Sequence, residues 1–117
     1  MDSRVICRYT PFEIEAALSA TMEVNHRMLD LQQVESFRMV ARTHNFTRAA
    51  AELGCSQSSV TLHVKALERE LGASLLERHR FSKKVQLTEI GRRTLDYAER
   101  LLALATEARE AVRKQLP

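Results

Sequence analysis

The segment from Thr47 to Leu71 constrains the fold of this chain more than any other, because it reads as two short helices joined by a glycine turn. The first helix carries one apolar stripe, formed by Ala49, Ala50 and Leu53. Gly54 ends it by supplying the positive φ that such a turn requires. In the second helix, apolar residues recur at intervals of four, three and four, at Val60, Val64, Leu67 and Leu71. This spacing predicts two helices that meet at a sharp angle, with a polar and partly basic face left outward.

A further helix is predicted just before this pair. Order is expected to begin at Met28, and the helix is capped by Asp30, with Gln33 completing a capping box, and continues to about Asn45. Phe46 then enters the core. The helix buries one apolar face, made of Leu31, Val34, Phe37, Val40 and Ala41.

Capping residues predict where the other helices begin. Thr47 is expected to cap the second helix and Ser56 the third, which stops at Gly72. Thr88 is expected to cap a final helix that continues to about Gln115, since no proline interrupts it.

A basic segment separates the third helix from the last one. Residues 78–84 contain four cations and no acid, and the alternating residues Val85, Gln86 and Leu87 follow. This pattern suits a short β-hairpin, which would form a basic wing. The predicted fold class is therefore mainly α: a winged helix-turn-helix of three helices plus a short hairpin, followed by a long C-terminal linker helix.

The last helix is too long for the domain that precedes it. Roughly 27 residues extend about 40 Å, well past a core of this size, so its apolar face needs a second chain or domain to cover it. Its apolar residues follow two overlapping heptad spacings. We expect a homodimer, whose interface is predicted to contain Tyr97, Ala98, Leu101, Leu104, Ala105, Ala108 and Val112.

Composition limits the classes of protein that remain. The 117 residues allow one modest core, and the net charge of +3 is only a weak indication of nucleic-acid binding unless the cations cluster. Cys7 and Cys55 are far apart and lack partners at metal-ligand spacing, which predicts neither a disulfide scaffold nor a zinc finger. The longest apolar run, residues 101–105, is far too short to span a membrane. A cytoplasmic protein without metal or cofactor is expected.

From about Met28 to Lys114 the chain closely resembles the N-terminal part of LysR-type bacterial transcription regulators, which comprises a winged helix-turn-helix and a linker helix. The order and spacing of the motifs make this resemblance specific. They are Phe37, Phe46-Thr47-Arg48-Ala49-Ala50, Leu53-Gly54, Ser56-Gln57, Leu67-Glu68, Leu71-Gly72, Leu75-Leu76-Glu77-Arg78 and Leu87-Thr88-Glu89-Ile90-Gly91.

The resemblance implies a specific mode of DNA binding. The third helix would lie in the major groove, the hairpin would reach the neighbouring minor groove, and the long helix would pair two subunits on an imperfect palindrome. The domains would be a winged helix-turn-helix at 28–87 and a linker helix at 88–117, after an N-terminal extension at 1–27 that forms one short helix or is poorly ordered. Full-length members continue into a ligand-binding effector domain, so we expect the DNA-binding part alone, without a small-molecule ligand.

Two departures from the family pattern affect the expected contacts. Leu62 follows Thr61 where the family often has arginine, so a guanine contact does not carry over, and an apolar contact to a thymine methyl is the alternative. The hairpin is about two residues longer than usual. The minor-groove position therefore stays open between Arg80, Lys83 and Lys84.

The candidate DNA contacts lie on the third helix, the start of the second helix and the wing. Side chains in the first turns of the third helix can reach base edges, and glutamine can pair with adenine through two hydrogen bonds. Residues at the start of the second helix are phosphate candidates. The full set is Thr47, Arg48, Gln57, Ser58, Ser59, Thr61, Leu62, Lys65, Arg78, Arg80, Lys83 and Lys84.

Two other classes of function compete with DNA binding. A protein-interaction module would use the long helix equally well, but its partner surface should favour large apolar anchors, and Leu62 is the only one on the outward face of the third helix. An enzyme is disfavoured because no paired acid–base or nucleophile arrangement is present. His63, near the hydrophobic edge of its helix, is expected to pack rather than to read bases.

Overall fold

The computed structural model describes residues 29–78 and 84–116, with the backbone alone for Arg78. The helices are α1 (Leu31–Thr43), α2 (Phe46–Leu53), α3 (Gln57–Leu71) and α4 (Glu89–Gln115), and the strands are β1 (Leu76–Arg78) and β2 (Val85–Leu87). Three helices, a two-stranded hairpin and a long last helix confirm the predicted winged helix-turn-helix. The predictions for residues 1–27 lie outside the described residues.

Side-chain caps begin three of these helices as the sequence predicted. Asp30 accepts a hydrogen bond from Gln32 N at 2.8 Å, Ser56 from Ser59 N at 3.1 Å, and Thr88 from Gly91 N at 2.9 Å. The turns after α2 and α3 are made by Gly54 and Gly72, which have φ angles of 72° and 69°. These positive values are accessible to glycine without strain, which explains why the two helices stop there.

The cap of α2 differs from the prediction. Asn45 is the N-cap: its backbone is extended, and its side chain accepts from Arg48 N at 3.0 Å. Thr47 is therefore the second residue of the helix, and its hydroxyl is left for other partners. Both residue types can cap a helix, so the sequence alone did not decide which one does.

The core lies where α1, α2 and α3 meet, and it closes against the hairpin and the start of α4. Its most deeply buried side chains are those of Phe37, Val40, Ala49, Val60, Val64, Leu67 and Leu75. Leu71 was predicted in this core but is 40% exposed, because it is the last residue of α3 and lies at the rim of the packed region. Leu31, at the start of α1, is 45% exposed for the same reason.

The hairpin is fixed to the end of α1. Its strands are antiparallel, with Leu76 opposite Leu87 and Arg78 opposite Val85. Val85 N donates to His44 O at 2.8 Å, and His44 Nδ1 lies 2.9 Å from Val85 O. Two contacts to one strand residue hold the base of the wing against the helical domain, and its tip lies outside the described residues.

Helix α4 is attached to the domain along its length up to about Ala105. Gly91 lies so close to Leu75 that a Cβ there would overlap the Leu75 carbonyl oxygen. Further along, Arg42 of α1 forms a bidentate contact with Glu99, at 3.3 Å from Nε to Oε1 and 3.0 Å from Nη2 to Oε2. Residues 107–116 are all exposed, so the last part of α4 extends beyond the packed part of the domain.

Candidate nucleic-acid interface

The outward face of α3 is the part of the helix-turn-helix that is left open. Opposite the buried Val60, Val64 and Leu67, the side chains of Ser58 and Lys65 are exposed. Gln57 is exposed at the start of the helix, and Thr61 and Leu62 are half-buried beside this face. Five predicted contacts, Gln57, Ser58, Thr61, Leu62 and Lys65, thus line one surface, which we call the α3 face.

Ser59 does not belong to the α3 face. Its side chain is 1% exposed, and its hydroxyl lies 2.9 Å from the Ser56 hydroxyl. Its backbone N–H is the donor that the Ser56 cap requires. The prediction that Ser59 contacts DNA is wrong, because the third residue of α3 points into the domain, on the buried side that His63 continues one turn later.

Thr47 and Gln57 lie next to one another across the helix-turn-helix. The Thr47 hydroxyl donates a hydrogen bond to Gln57 Oε1 at 3.2 Å, and both residues are exposed. Arg48, also exposed, follows Thr47 at the N-terminus of α2. The DNA contacts predicted for each of these three residues stay predictions, and the contact between Thr47 and Gln57 was not predicted.

His63 is a packing residue, as the sequence suggested. It is 4% exposed, and its Nδ1 lies 2.7 Å from the hydroxyl of Ser36 on α1, which is also buried. Burial lowers the pKa of His63 below its usual value, because the charged ring would lose its hydration, and the charge of Asp30 opposes this shift in part. The neutral ring therefore joins α3 to α1 from the side opposite the α3 face.

The basic wing is described only at its base. Lys84 is exposed just before β2, and Arg78 ends β1. Arg80 and Lys83 lie outside the described residues, as does the side chain of Arg78. The contacts predicted for this cluster stay predictions.

Helix α4 separates the predicted dimer residues into two groups. Tyr97, Leu101, Leu104 and Val112 are exposed, at 62%, 36%, 60% and 61%, and Ala108 lies between them on the same side. Ala98 is only 2% exposed, since it packs into the core of its own domain, so its predicted place in a dimer interface is wrong. Ala105 is half-buried in a pocket shared with Leu31 and Arg38 of α1.

An apolar groove of about 270 Å³ adjoins the exposed group. We call it the α1–α4 groove; its walls include Val34 of α1, Leu71 of α3, and Tyr97 and Leu101 of α4. The sequence pattern missed it, because Leu71 was assigned to the core. The sequence feature that could have indicated this groove is the overlap of two heptad patterns on α4, because an apolar stripe that broad cannot face a single neighbour.

Cys55 lies half-buried in the turn before α3. It is nevertheless disulfide-bonded, whereas the sequence predicted no disulfide scaffold. Within residues 29–78 and 84–116, no cluster of three or more histidine, cysteine or acidic side chains is placed to hold a metal ion. None of the described helices is long and apolar enough to cross a membrane.

Taken together, the three-helix core, the hairpin and the open α3 face define a winged helix-turn-helix domain of the DNA-binding class. The model of the family described as bacterial regulatory helix-turn-helix protein, lysR family, matches residues 31–92. The chain therefore belongs to the LysR family, which consists of transcription regulators rather than enzymes, and its winged helix-turn-helix is the DNA-binding domain of that family.

Named relatives agree with this assignment. The HTH-type transcriptional regulator HdfR of Yersinia enterocolitica is 39% identical over 88 residues, which make up 75% of this chain and 29% of that protein. YwqM of Bacillus subtilis, also an HTH-type transcriptional regulator, is 41% identical over 83 residues, or 71% of this chain and 28% of that protein. The match thus spans less than a third of each relative.

Solved structures match the same region. The complex of the CbnR DNA-binding domain with DNA has a TM-score of 0.69 at 34% identity, and covers 74% of this chain and 98% of that one. The BenM DNA-binding domain on benA site 1 DNA has a TM-score of 0.68 at 30% identity, and covers 74% of this chain and 94% of that one.

Proposed function

We propose that this domain binds double-stranded DNA in a sequence-specific manner, as a homodimer on an imperfect palindrome, within a transcription regulator of the bacterial cytoplasm. The observation that carries the proposal is the α3 face, which is polar, basic at Lys65 and exposed at Gln57, Ser58 and Lys65. An α-helix fits the major groove of B-DNA, where each base pair presents its own pattern of donors and acceptors. The DNA complexes of the CbnR and BenM domains support the same assignment.

The side chains of the α3 face divide into base and backbone contacts. We assign base contacts to Gln57, Ser58, Thr61 and Leu62, which lie near the start of α3. Lys65, one to two turns further on, and Arg48 on α2 are assigned to phosphates, as is the wing cluster of Arg78, Arg80, Lys83 and Lys84. Leu62 is half-buried, so the face lacks the large exposed apolar anchor that a protein partner would favour.

Selection of bound duplexes from a random pool tests this function directly. We expect one preferred sequence with two half-sites in inverted orientation, and an affinity that falls steeply with salt. Gln57→Ala should change the preferred base at one position of each half-site. Lys65→Ala should instead weaken binding to all duplexes about equally and reduce the salt slope by about 1. Recovery of no preferred sequence would contradict the proposal.

The dimer is supported by the exposed apolar side of α4. At about 100° per residue, Tyr97, Leu101, Leu104, Ala108 and Val112 fall within about 80° of one another. This stripe continues into the α1–α4 groove, and leaving both in water is unfavourable in proportion to their apolar area. A second copy of the chain, which presents the same stripe, would cover both.

A charge placed in the stripe should separate the subunits. We expect Leu104→Glu to raise the dimer dissociation constant at least tenfold by sedimentation analysis, because two symmetry-related carboxylates would be buried together. Ala103→Glu is the matched control, since it adds the same charge at an exposed position about 140° away from the stripe. Equal effects of the two variants would exclude this surface as the interface.

A further inference from the structure

Thr47 and Gln57 belong to different helices, yet their side chains meet at the exposed edge of the helix-turn-helix. The Thr47 hydroxyl donates to Gln57 Oε1 at 3.2 Å, across ten positions of sequence. Both residues carry polar groups suited to DNA, but no sequence pattern required them to touch. The contact joins a side chain at the start of α2 to the first residue of α3.

The two backbones that carry this pair are fixed by helix caps. Asn45 accepts from Arg48 N at 3.0 Å, directly after Thr47, and Ser56 accepts from Ser59 N at 3.1 Å, two residues after Gln57. Gly54 closes the turn between the helices in a left-handed conformation. The hydroxyl and the carboxamide are thus held at a set separation by ordered backbone, and the hydrogen bond does not depend on a loop.

The hydrogen bond restricts a side chain that would otherwise move freely. An exposed glutamine populates many rotamers and loses that freedom when it contacts a base. The Thr47 hydroxyl occupies one lone pair of Oε1 and leaves a second lone pair and both Nε2 hydrogens available. The free groups are one acceptor and one donor side by side, which match the N6 donor and N7 acceptor of adenine in the major groove.

We propose that Thr47 is a positioning residue that orders the Gln57 carboxamide for adenine and so determines specificity at that base pair. This inference rests on the proposed function, in which Gln57 contacts a base. It replaces the expectation that Thr47 itself binds a phosphate. Ordering the group before binding lowers the entropy cost of the contact, which raises affinity for the matching base pair above that for others.

Variants of Thr47 separate positioning from direct contact. Thr47→Val removes the hydroxyl and keeps the shape, whereas Thr47→Ser keeps the hydroxyl. We measure dissociation constants for the selected duplex and for a duplex in which the A·T pair read by Gln57 is changed to G·C. The discrimination ratio is the dissociation constant of the G·C duplex divided by that of the selected duplex. Thr47→Val should lower this ratio about three- to tenfold, the range of one neutral hydrogen bond. Thr47→Ser should keep the ratio within about twofold of the original.

The same measurement in a Gln57→Ala background completes a double-mutant cycle. There, Thr47→Val should leave the ratio unchanged, because the side chain through which it acts is absent. Thermal unfolding of each variant checks that the domain remains folded at the temperature of the binding assay.

The outcomes distinguish this inference from the proposed function. If Thr47→Val weakens both duplexes equally, or acts equally with and without Gln57, Thr47 contacts the backbone directly and positioning is overturned. If Gln57→Ala changes the base preference while Thr47→Val does not, the positioning role alone fails. If Gln57→Ala leaves the base preference unchanged, the base contact fails and the positioning role fails with it.

Discussion

Helices α3 and α4 carry similar apolar stripes but place them in different surroundings. In α3, Val60, Val64 and Leu67 are at most 1% exposed, because α1 and α2 cover them. In α4, Leu104 and Val112 are about 60% exposed, because the domain ends before the helix does. Spacing therefore indicates which face of a helix is apolar, and only the size of the surrounding domain decides whether that face is buried within one chain.

The largest expected effect is a difference in the free energy of unfolding between one substitution in the α3 stripe and one in the α4 stripe. Leu67→Ala should lower the free energy of unfolding by about 2–5 kcal/mol, since it leaves a cavity between α3 and α1. Leu104→Ala should change the unfolding free energy of the monomer by less than about 0.5 kcal/mol, because its side chain is exposed there.

Urea denaturation measures both values, at a protein concentration low enough to keep the chain monomeric. If Leu104→Ala were as destabilising as Leu67→Ala under these conditions, α4 would be packed against its own domain along its whole length. The contrast between the two helices would then be wrong.

The attachment of α4 to the domain gives the next prediction. A Cβ at Gly91 would overlap the carbonyl oxygen of Leu75, which is backbone and cannot rotate away. We expect Gly91→Ala to cost about 1–3 kcal/mol of stability, although alanine is the better helix former. Ala103→Gly is the reference for the intrinsic helix preference, since residue 103 is exposed on the same helix. A stabilising effect of Gly91→Ala would mean that α4 does not approach Leu75 this closely.

Much of this architecture was predicted from local signals. The caps at Asp30, Ser56 and Thr88 and the glycine turns at 54 and 72 are settled by neighbours within a few residues, so the sequence carries them directly. The choice of Asn45 over Thr47 as a cap was not settled in this way, because both residues can make that hydrogen bond.

The candidate site was less predictable, because it depends on how helices are placed relative to one another. Ser59 resembles Ser58 in sequence, and only the direction of α3 against the core buries one hydroxyl and exposes the other. The spacing of Ala98 fits a dimer heptad and equally a contact with its own domain. In the structure Ala98 packs into its own domain. The contact of Thr47 with Gln57 joins two helices, so no periodicity within either one indicates it.

Acidification should weaken the contact between α3 and α1 through His63. Burial lowers the pKa of His63 in the folded state, so the unfolded chain binds the proton more readily. Stability should therefore fall as the pH decreases below about 6.5, with a slope of at most about 1.4 kcal/mol per pH unit, and level off below the folded pKa. In unfolding curves between pH 5 and 7.5, His63→Gln should reduce this slope. If His63→Gln leaves the slope unchanged, the pH dependence of stability comes from other titratable groups.

The smallest expected effect concerns the ion pair that fixes the direction of α4. Arg42 contacts Glu99 at 3.0 Å, but their side chains are 52% and 38% exposed, so water screens most of the attraction. A double-mutant cycle with Arg42→Ala and Glu99→Ala should give a coupling energy of about 0.5 kcal/mol, decreasing in high salt. A pair this weak contributes little to stability, whereas its bidentate geometry restricts the angle between α4 and α1.

If the two α4 helices join the subunits, breaking the pair should relax the preferred spacing between half-sites more than it lowers affinity for the best duplex. If the spacing preference does not change, the angle of α4 is set by its packing against the domain, at Gly91 and Ala98, and not by this ion pair.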